Sequence, residues 1–208
     1  MNVYGENNKS NVTFTNDQAD AVDDLISFIA APWSDTDYVH ALCGAGGTGK
    51  TFVTKYVIQN CKFSSSVIAC AAPTHKACRV FSNAIGGKSV DTIQSMFGFR
   101  LDVDIEDFDP EKPAFNPIGN IKILDKEIRV LIIDESSMLN GKLVNYINKL
   151  CKKHHIKIIY IGDASQLPPV NEKVSRAFTI ATRVNYLNET VRQGDNNPIS
   201  NLLDILRN

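Results

Sequence analysis

The sequence predicts an α/β domain built on a central, mainly parallel sheet, and three observations lead there. Strand-like and helix-like segments alternate along the 208 residues, the order that lays helices over a parallel sheet. Two runs, RVLIID at 129–134 and IKIIYIGD at 156–163, are too continuously apolar for surface strands and belong at the centre of the sheet. The stretch GAGGTGKT at 44–51 matches G-x-x-x-x-G-K-[ST] and sits between a strand-like and a helix-like segment, where a phosphate loop belongs.

Taken in order, Met1–Ser10 is polar, so residues 1–12 are expected to be disordered and 13–208 to form the domain. Ala19, Val22, Leu25 or Ile26, and Ile29 share one face of a first helix, and Thr15-x-x-Gln18 has the form of a capping box at its start. YVHALC (38–43) reads as a short buried strand and FVTKYVIQN (52–60) as the helix behind the phosphate loop. VIACAA (67–72) is a second strand, and Thr74 starts a helix that should stop near Gly86–Gly87. Residues 97–120 break this rhythm with three prolines and alternating apolar and acidic residues, which reads as an inserted hairpin or small subdomain. After the strand at 129, Asn140 caps an amphipathic helix carrying Leu143, Val144, Ile147, Leu150 and Cys151. VNYL (184–187) is the last strand, and Asn197–Pro198 opens a final helix.

Composition narrows the class. A content 43% hydrophobic supports a sizeable core, and a net charge of −1 means that nucleic-acid contact must come from a local patch. The five cysteines are odd in number and form no C-x-x-C pair, while His154–His155 has no ligand-spaced partner. Reduced thiols in a cytoplasmic protein are expected, in the host cytoplasm for a viral source. No apolar run approaches the roughly 18 residues of a membrane span. Lys149, Lys152, Lys153 and Lys157 read as a solvated helix end.

The chemistry is concentrated in two places. In the loop Gly44-Ala45-Gly46-Gly47-Thr48-Gly49, the glycines permit φ > 0 and close backbone approach, so that successive N–H groups face a β-phosphate. Lys50 reaches the β/γ-phosphates and the Thr51 hydroxyl ligates Mg²⁺, so the chain is expected to bind a nucleoside triphosphate with that ion. Asp134–Glu135 end a strand at the carboxyl edge of the sheet, where Asp134 would hold the Mg²⁺ hydration shell and Glu135 would orient and deprotonate a water.

APTHKA (72–77), DESSM (134–138) and GDASQLPPV (162–170) resemble the superfamily 1 DNA helicases, in the branch containing RecD and the phage Dda helicase. The likeness runs from Phe14 to the end of the sequence and covers one RecA-like P-loop NTPase domain. It implies that Gln18 recognises the adenine of ATP, that Gln166 senses the γ-phosphate, and that Arg192 in LNETVRQ points at it. It further implies that Pro73, Thr74, His75 and Lys76 contact single-stranded DNA, followed by Thr92 and Gln94 in TIQS. Bland readings stand beside these: Gln18 and Thr74 serve as caps in any fold, and His75 and Arg192 are also common surface residues.

The activity so implied is ATP hydrolysis driving movement along single-stranded DNA, 5′ to 3′, with separation of forked duplex. The second RecA-like domain that such a motor uses has no counterpart in these residues, so the sequence looks like the N-terminal part of a longer protein or a fragment. The rival readings are a RecA-like switch that binds ATP and DNA with little turnover, and a metabolite kinase, in which QLPPV and APTHKA have no purpose. In relatives an insertion at 97–120 acts as a pin with an aromatic at the fork. Phe97, Phe99, Phe108 and Phe115 are the candidates here, Phe115 or Phe108 foremost, beside an acidic run from Asp102 to Glu111 expected to face solvent or a basic partner.

Overall fold

The computed structural model of the chain describes residues 13–100, 104–125, 127–166 and 175–190. Their strands are β1 (Val39–Gly44), β2 (Ile68–Ala72), β3 (Asp91–Thr92), β4 (Val130–Ile133), β5 (Lys157–Gly162) and β6 (Arg183–Leu187). They form one sheet in the order β3-β2-β4-β5-β1-β6, every pair parallel. The helices are α1 (Asn16–Ala30), α2 (Lys50–Asn60), α3 (His75–Ala84), α4 (Ile93–Phe97), α5 (Gly141–Lys153) and α6 (Arg176–Thr179).

Alternation along the strands divides the core in two. Leu42, Cys70, Ile132, Ile159 and Ile161 face a layer made by α1, α2 and α3. Ala41, Cys43, Leu131, Ile133, Ile158 and Tyr160 face α4, α5 and α6. Strands β4 and β5 are buried at every position, as their unbroken apolar runs require. Leu25 rather than Ile26 is the fully packed residue on α1, and all five cysteines are free thiols. No helix among the described residues is long and apolar enough to cross a membrane. The helix expected from Asn197 lies outside the described residues.

Two expectations are corrected. Among the described residues between α4 and β4 there is no strand; Ile105–Asp107, Pro113–Phe115 and Lys122–Leu124 form single 3-10 turns, so the described part of 97–120 packs as the small subdomain and not as the hairpin. Its aromatics point inward: Phe108 lies 5.3 Å from Phe99, 5.4 Å from Tyr146 of α5 and 5.0 Å from Phe115, ring centre to ring centre. Phe97, Phe99, Phe108 and Phe115 are all buried, so none of the candidates for the pin is placed to meet a duplex. Asn140 fastens the segment, because its Oδ1 caps α5 at Leu143 N while its Nδ2 donates to the carbonyls of Glu106 (2.7 Å) and Phe108 (3.3 Å). The alternation of apolar and acidic residues reflects anchors that dock on α5 and acids left outside. One of those acids, Asp109, pairs with Lys142 at 2.7 Å.

Lys157 is the second correction. It opens β5, is buried, and is not part of a solvated helix end. Its Nζ donates to the carbonyl of Phe28 at 2.5 Å and to that of Ala31, at the C-terminus of α1, and stands 5.1 Å from the centre of the Phe28 ring. Burial holds its pKa below that of an ordinary lysine. The partial negative charge of the helix end and the satisfied carbonyls offset that cost.

Candidate functional site

Three adjacent strand ends build the site. β1 runs into the phosphate loop at Gly44, β5 ends at Gly162 before Asp163, and β4 ends before Asp134–Glu135. Parallel pairing brings all three to one edge of the sheet. The loop turns on Gly47 and Gly49, whose φ angles are 84° and 89°. Gly44 is required for close approach, since a Cβ there would lie 2.5 Å from Thr48 Oγ1; Gly46 shows neither constraint. Gly49 caps α2 with no side-chain hydrogen bond, so the first-turn N–H groups of that helix stay available to an anion.

Lys50 folds back onto the loop, its Nζ donating to the carbonyls of Gly44 (2.6 Å) and Ala45 (3.0 Å). Burial holds its pKa below the usual lysine value, against the pull of Asp163, Asp134 and Glu135. Burial also pushes the Asp134 carboxyl up to about 6, with the charge of Glu135 adding to the effect and Lys50 opposing it. Two half-buried carboxylates and the threonine hydroxyl at the start of α2 offer hard oxygen donors of the kind that suits Mg²⁺. Thr51 and Asp134 could hold that ion. Glu135 has φ 53°, a left-handed conformation uncommon outside glycine and asparagine, and it starts the turn Ser136–Met138.

That turn is tied to the end of β5. Ser137 donates its hydroxyl to Gln166 Oε1 at 3.0 Å, and Gly162 lets the turn approach, since a Cβ there would lie 3.2 Å from Ser137 N. Gln18 stands at the other side of the loop. Both capping-box bonds of α1 are present, and the Gln18 Nε2 also donates to the carbonyl of Thr48 at 2.9 Å. One amide thus caps the helix and braces the phosphate loop.

Sequence reasoning missed two residues here. Asp163 is buried between the phosphate loop and β4 and receives both the N–H (2.9 Å) and the hydroxyl (2.6 Å) of Ser165. Asp17 accepts the backbone N–H groups of Asn188 (2.6 Å) and Glu189 (3.2 Å), fixing the exit of β6 to the first turn of α1. The glycine-aspartate pair at the end of a buried run was a signal for the first; nothing local marked the second, whose partner lies 171 residues away.

The residues expected to meet DNA share the same edge. β2 and β3 pair through Ala72 and Thr92, so the starts of α3 and α4 lie side by side. Thr74, His75 and Lys76 are exposed, and Pro73 is buried. Thr74 caps α3 at Ala77 N (3.1 Å). Thr92 is 5% exposed and its hydroxyl caps α4 at Ser95 N, while Gln94 is half-buried. Arg192 and the Leu167–Val170 part of GDASQLPPV lie outside the described residues.

A phosphate loop, two carboxylates and a bridging glutamine at the carboxyl edge of a parallel sheet define a RecA-like P-loop domain of the superfamily 1 helicase type. The profile of the AAA domain matches residues 13–208, and the chain belongs to that family. It is 32% identical over 152 residues to the ATP-dependent DNA helicase PIF1 of Candida albicans, covering 65% of this chain and 15% of that protein. It is 32% identical over 145 residues to the ATP-dependent DNA helicase dda of Enterobacteria phage T4, covering 65% and 29%. The crystal structure of the Pif1 helicase from Candida albicans superposes with a TM-score of 0.60 at 27% identity, over 94% of this chain and 44% of that one. The chain therefore spans less than a third of the length of either curated relative.

Proposed function

We propose that these residues form the ATP-binding motor domain of a DNA helicase, which hydrolyses ATP to move along single-stranded DNA, 5′ to 3′, and to part a forked duplex. The observation that carries the reading is the convergence of Lys50, Asp134, Glu135, Asp163 and Gln166 on three adjacent strand ends, beside the exposed start of α3. In this reading Lys50 leaves the loop carbonyls for the β/γ-phosphates, and Gln18 recognises adenine from its place on the loop. Thr51 and Asp134 hold Mg²⁺, which supplies charge neutralisation on the phosphates when bound. Glu135 accepts the proton of the attacking water. Gln166 couples the phosphate site to the turn at Ser137, and Arg192 completes the γ-phosphate contacts. His75 and Lys76 hold the strand, with the Thr74 turn presenting N–H groups to a phosphate.

Movement needs two gripping bodies that close and open with the nucleotide, so a second RecA-like domain is proposed as the partner, supplying an arginine in trans. Turnover by the 208 residues alone is then slow. The test is phosphate release from ATP in a chain carrying both motor domains. Release is expected to rise with single-stranded DNA and to leave no phosphorylated product. Glu135→Gln is expected to lower it by about 10²–10⁴-fold while ATP still binds. Unchanged turnover in that variant overturns the role given to Glu135, and a phosphorylated small molecule overturns the helicase reading.

A further inference from the structure

The edge of the sheet opposite the phosphate loop, where β4 and β5 begin, carries a hollow of about 510 Å³ between the C-termini of α1 and α5. Its lining brings Trp33 and Phe63 together with Arg129, His154 and His155. Phe63 is 42% exposed, and Arg129 and both histidines are exposed as well. Among the described residues no carboxylate lines the hollow. Asp37, whose charge acts on Lys157 beside it, is itself paired with Arg183. Aromatic rings set among cations in this way have the composition of an interface core, whereas a solvated face is built of lysine and acids. None of these residues has a place in the machinery described above.

His155 supplies a second observation. Its φ is 56°, left-handed, at the position after the α5 cap where glycine is usual. The turn is a Schellman motif: Ile156 N–H donates to the carbonyl of Cys151 at 2.9 Å and His155 N–H to that of Lys152 at 3.2 Å. Glycine would end the helix with less strain, yet an imidazole stands there, its ring centre 5.2 Å from that of Trp33. Trp33 in turn packs on Tyr38, and Lys152 Nζ lies 5.7 Å from the centre of the Tyr38 ring. Backbone strain kept for a side chain the turn does not need points to contact made by that side chain.

We propose that this hollow docks an acidic segment of a partner protein. An aromatic side chain of that segment enters beside Phe63 and Trp33, and flanking carboxylates meet Arg129, His154 and His155. The guanidinium fork matches a carboxylate, and Lys152 and Lys153, exposed in the last turn of α5, add positive charge beside it. A nucleic-acid strand fits less well. Trp33 is already engaged by two rings, and the residues expected to meet DNA lie at the other ends of the strands. The proposal does not depend on the helicase reading.

Fluorescence anisotropy of a labelled random copolymer of glutamate and tyrosine on the 208-residue chain tests it, with polyglutamate and oligothymidylate as the other probes. The copolymer is expected to bind, and polyglutamate to bind about tenfold more weakly for want of a ring to bury. Arg129→Ala and Phe63→Ser, both at exposed positions, are each expected to weaken copolymer binding about fivefold. His155→Gly is expected to weaken it without lowering the melting temperature, since glycine suits the left-handed turn. Lys112→Ala removes an exposed cation from the 97–120 segment and is expected to leave binding unchanged. If the three variants bind the copolymer as Lys112→Ala does, or if polyglutamate binds as tightly as the copolymer, the hollow docks no such segment. An unaltered chain that fails to bind the copolymer overturns the proposal outright. Loss of oligothymidylate binding in the three variants, with copolymer binding intact, would make the hollow a nucleic-acid contact instead.

Discussion

Lys50 is held by opposed influences. Its ammonium donates to the carbonyls of Gly44 and Ala45, and burial disfavours its charge while three carboxylates favour it. Lys50→Ala removes the cation aimed at the phosphates and two hydrogen bonds from a half-buried loop. ATP affinity measured by calorimetry is expected to fall steeply. The melting temperature without nucleotide is expected to shift by no more than about 4 °C, since two such bonds are worth on the order of 1 kcal/mol net. Equal affinities for the two proteins would remove this loop from nucleotide binding. Gln18 is the contrasting case: the capping box marks it in the sequence, and its amide also braces the phosphate loop from the helix it caps.

At the scale of elements, the 97–120 segment and β6 are held in different ways. The segment is fastened by apolar burial, with Phe108 wedged among Phe99, Phe115 and Tyr146. Phe108→Ala is expected to cost about 3–4 kcal/mol in urea unfolding through the cavity it leaves. A pin residue exposed to a duplex would cost almost nothing, so the same measurement separates the two roles. Strand β6 is held at its start by charge: Arg183 places Nε 3.1 Å from each Asp37 oxygen and Nη2 2.5 Å from Oδ2. Arg183 draws the Asp37 pKa below its ordinary 3.8. A depressed carboxylate contributes stability above its unfolded pKa and loses it as the pH falls through the folded one. Asp37→Asn is therefore expected to cost about 0.5–1 kcal/mol at pH 7, given the partial exposure of the pair. Thermal unfolding of the two proteins should converge below the acid window; a constant gap down to pH 2 would assign the loss to something other than this charge.

For the whole molecule, the candidate site gathers two carboxylates in a half-buried place. Burial pushes the Asp134 pKa up to about 6 and the charge of Glu135 adds to it, while the Glu135 N–H and Lys50 oppose the rise. Binding of Mg²⁺ and ATP to the folded state alone should stabilise it by about 2.7 kcal/mol at one hundred times the dissociation constant. That is a rise of roughly 5–10 °C in melting temperature for a chain of this size. Lys50→Ala is expected to abolish the rise, and ATP with a chelator to reduce it. A full rise with chelator present would show that no divalent ion takes part.

The elements legible in the sequence were those whose signal is local. An unbroken apolar run marks a strand buried on both faces, and glycines before a lysine and threonine mark a loop of free N–H groups; both follow from short-range sterics and burial. Cap residues Thr15, Thr74 and Asn140 declared three helix starts for the same reason. What only the tertiary structure decided lies in partners far apart in the chain. The acidic and aromatic residues of 97–120 alternate as a hairpin does, and only the facing surface of α5 turns that pattern into a docked subdomain. Lys157 reads as one more lysine beside a basic helix end, until the C-terminus of α1 arrives 129 residues away in sequence to supply its buried acceptors. Asp17, whose partner lies 171 residues away, belongs to this second kind. Its chemistry depends on strand order, and strand order is set by how the whole sheet packs.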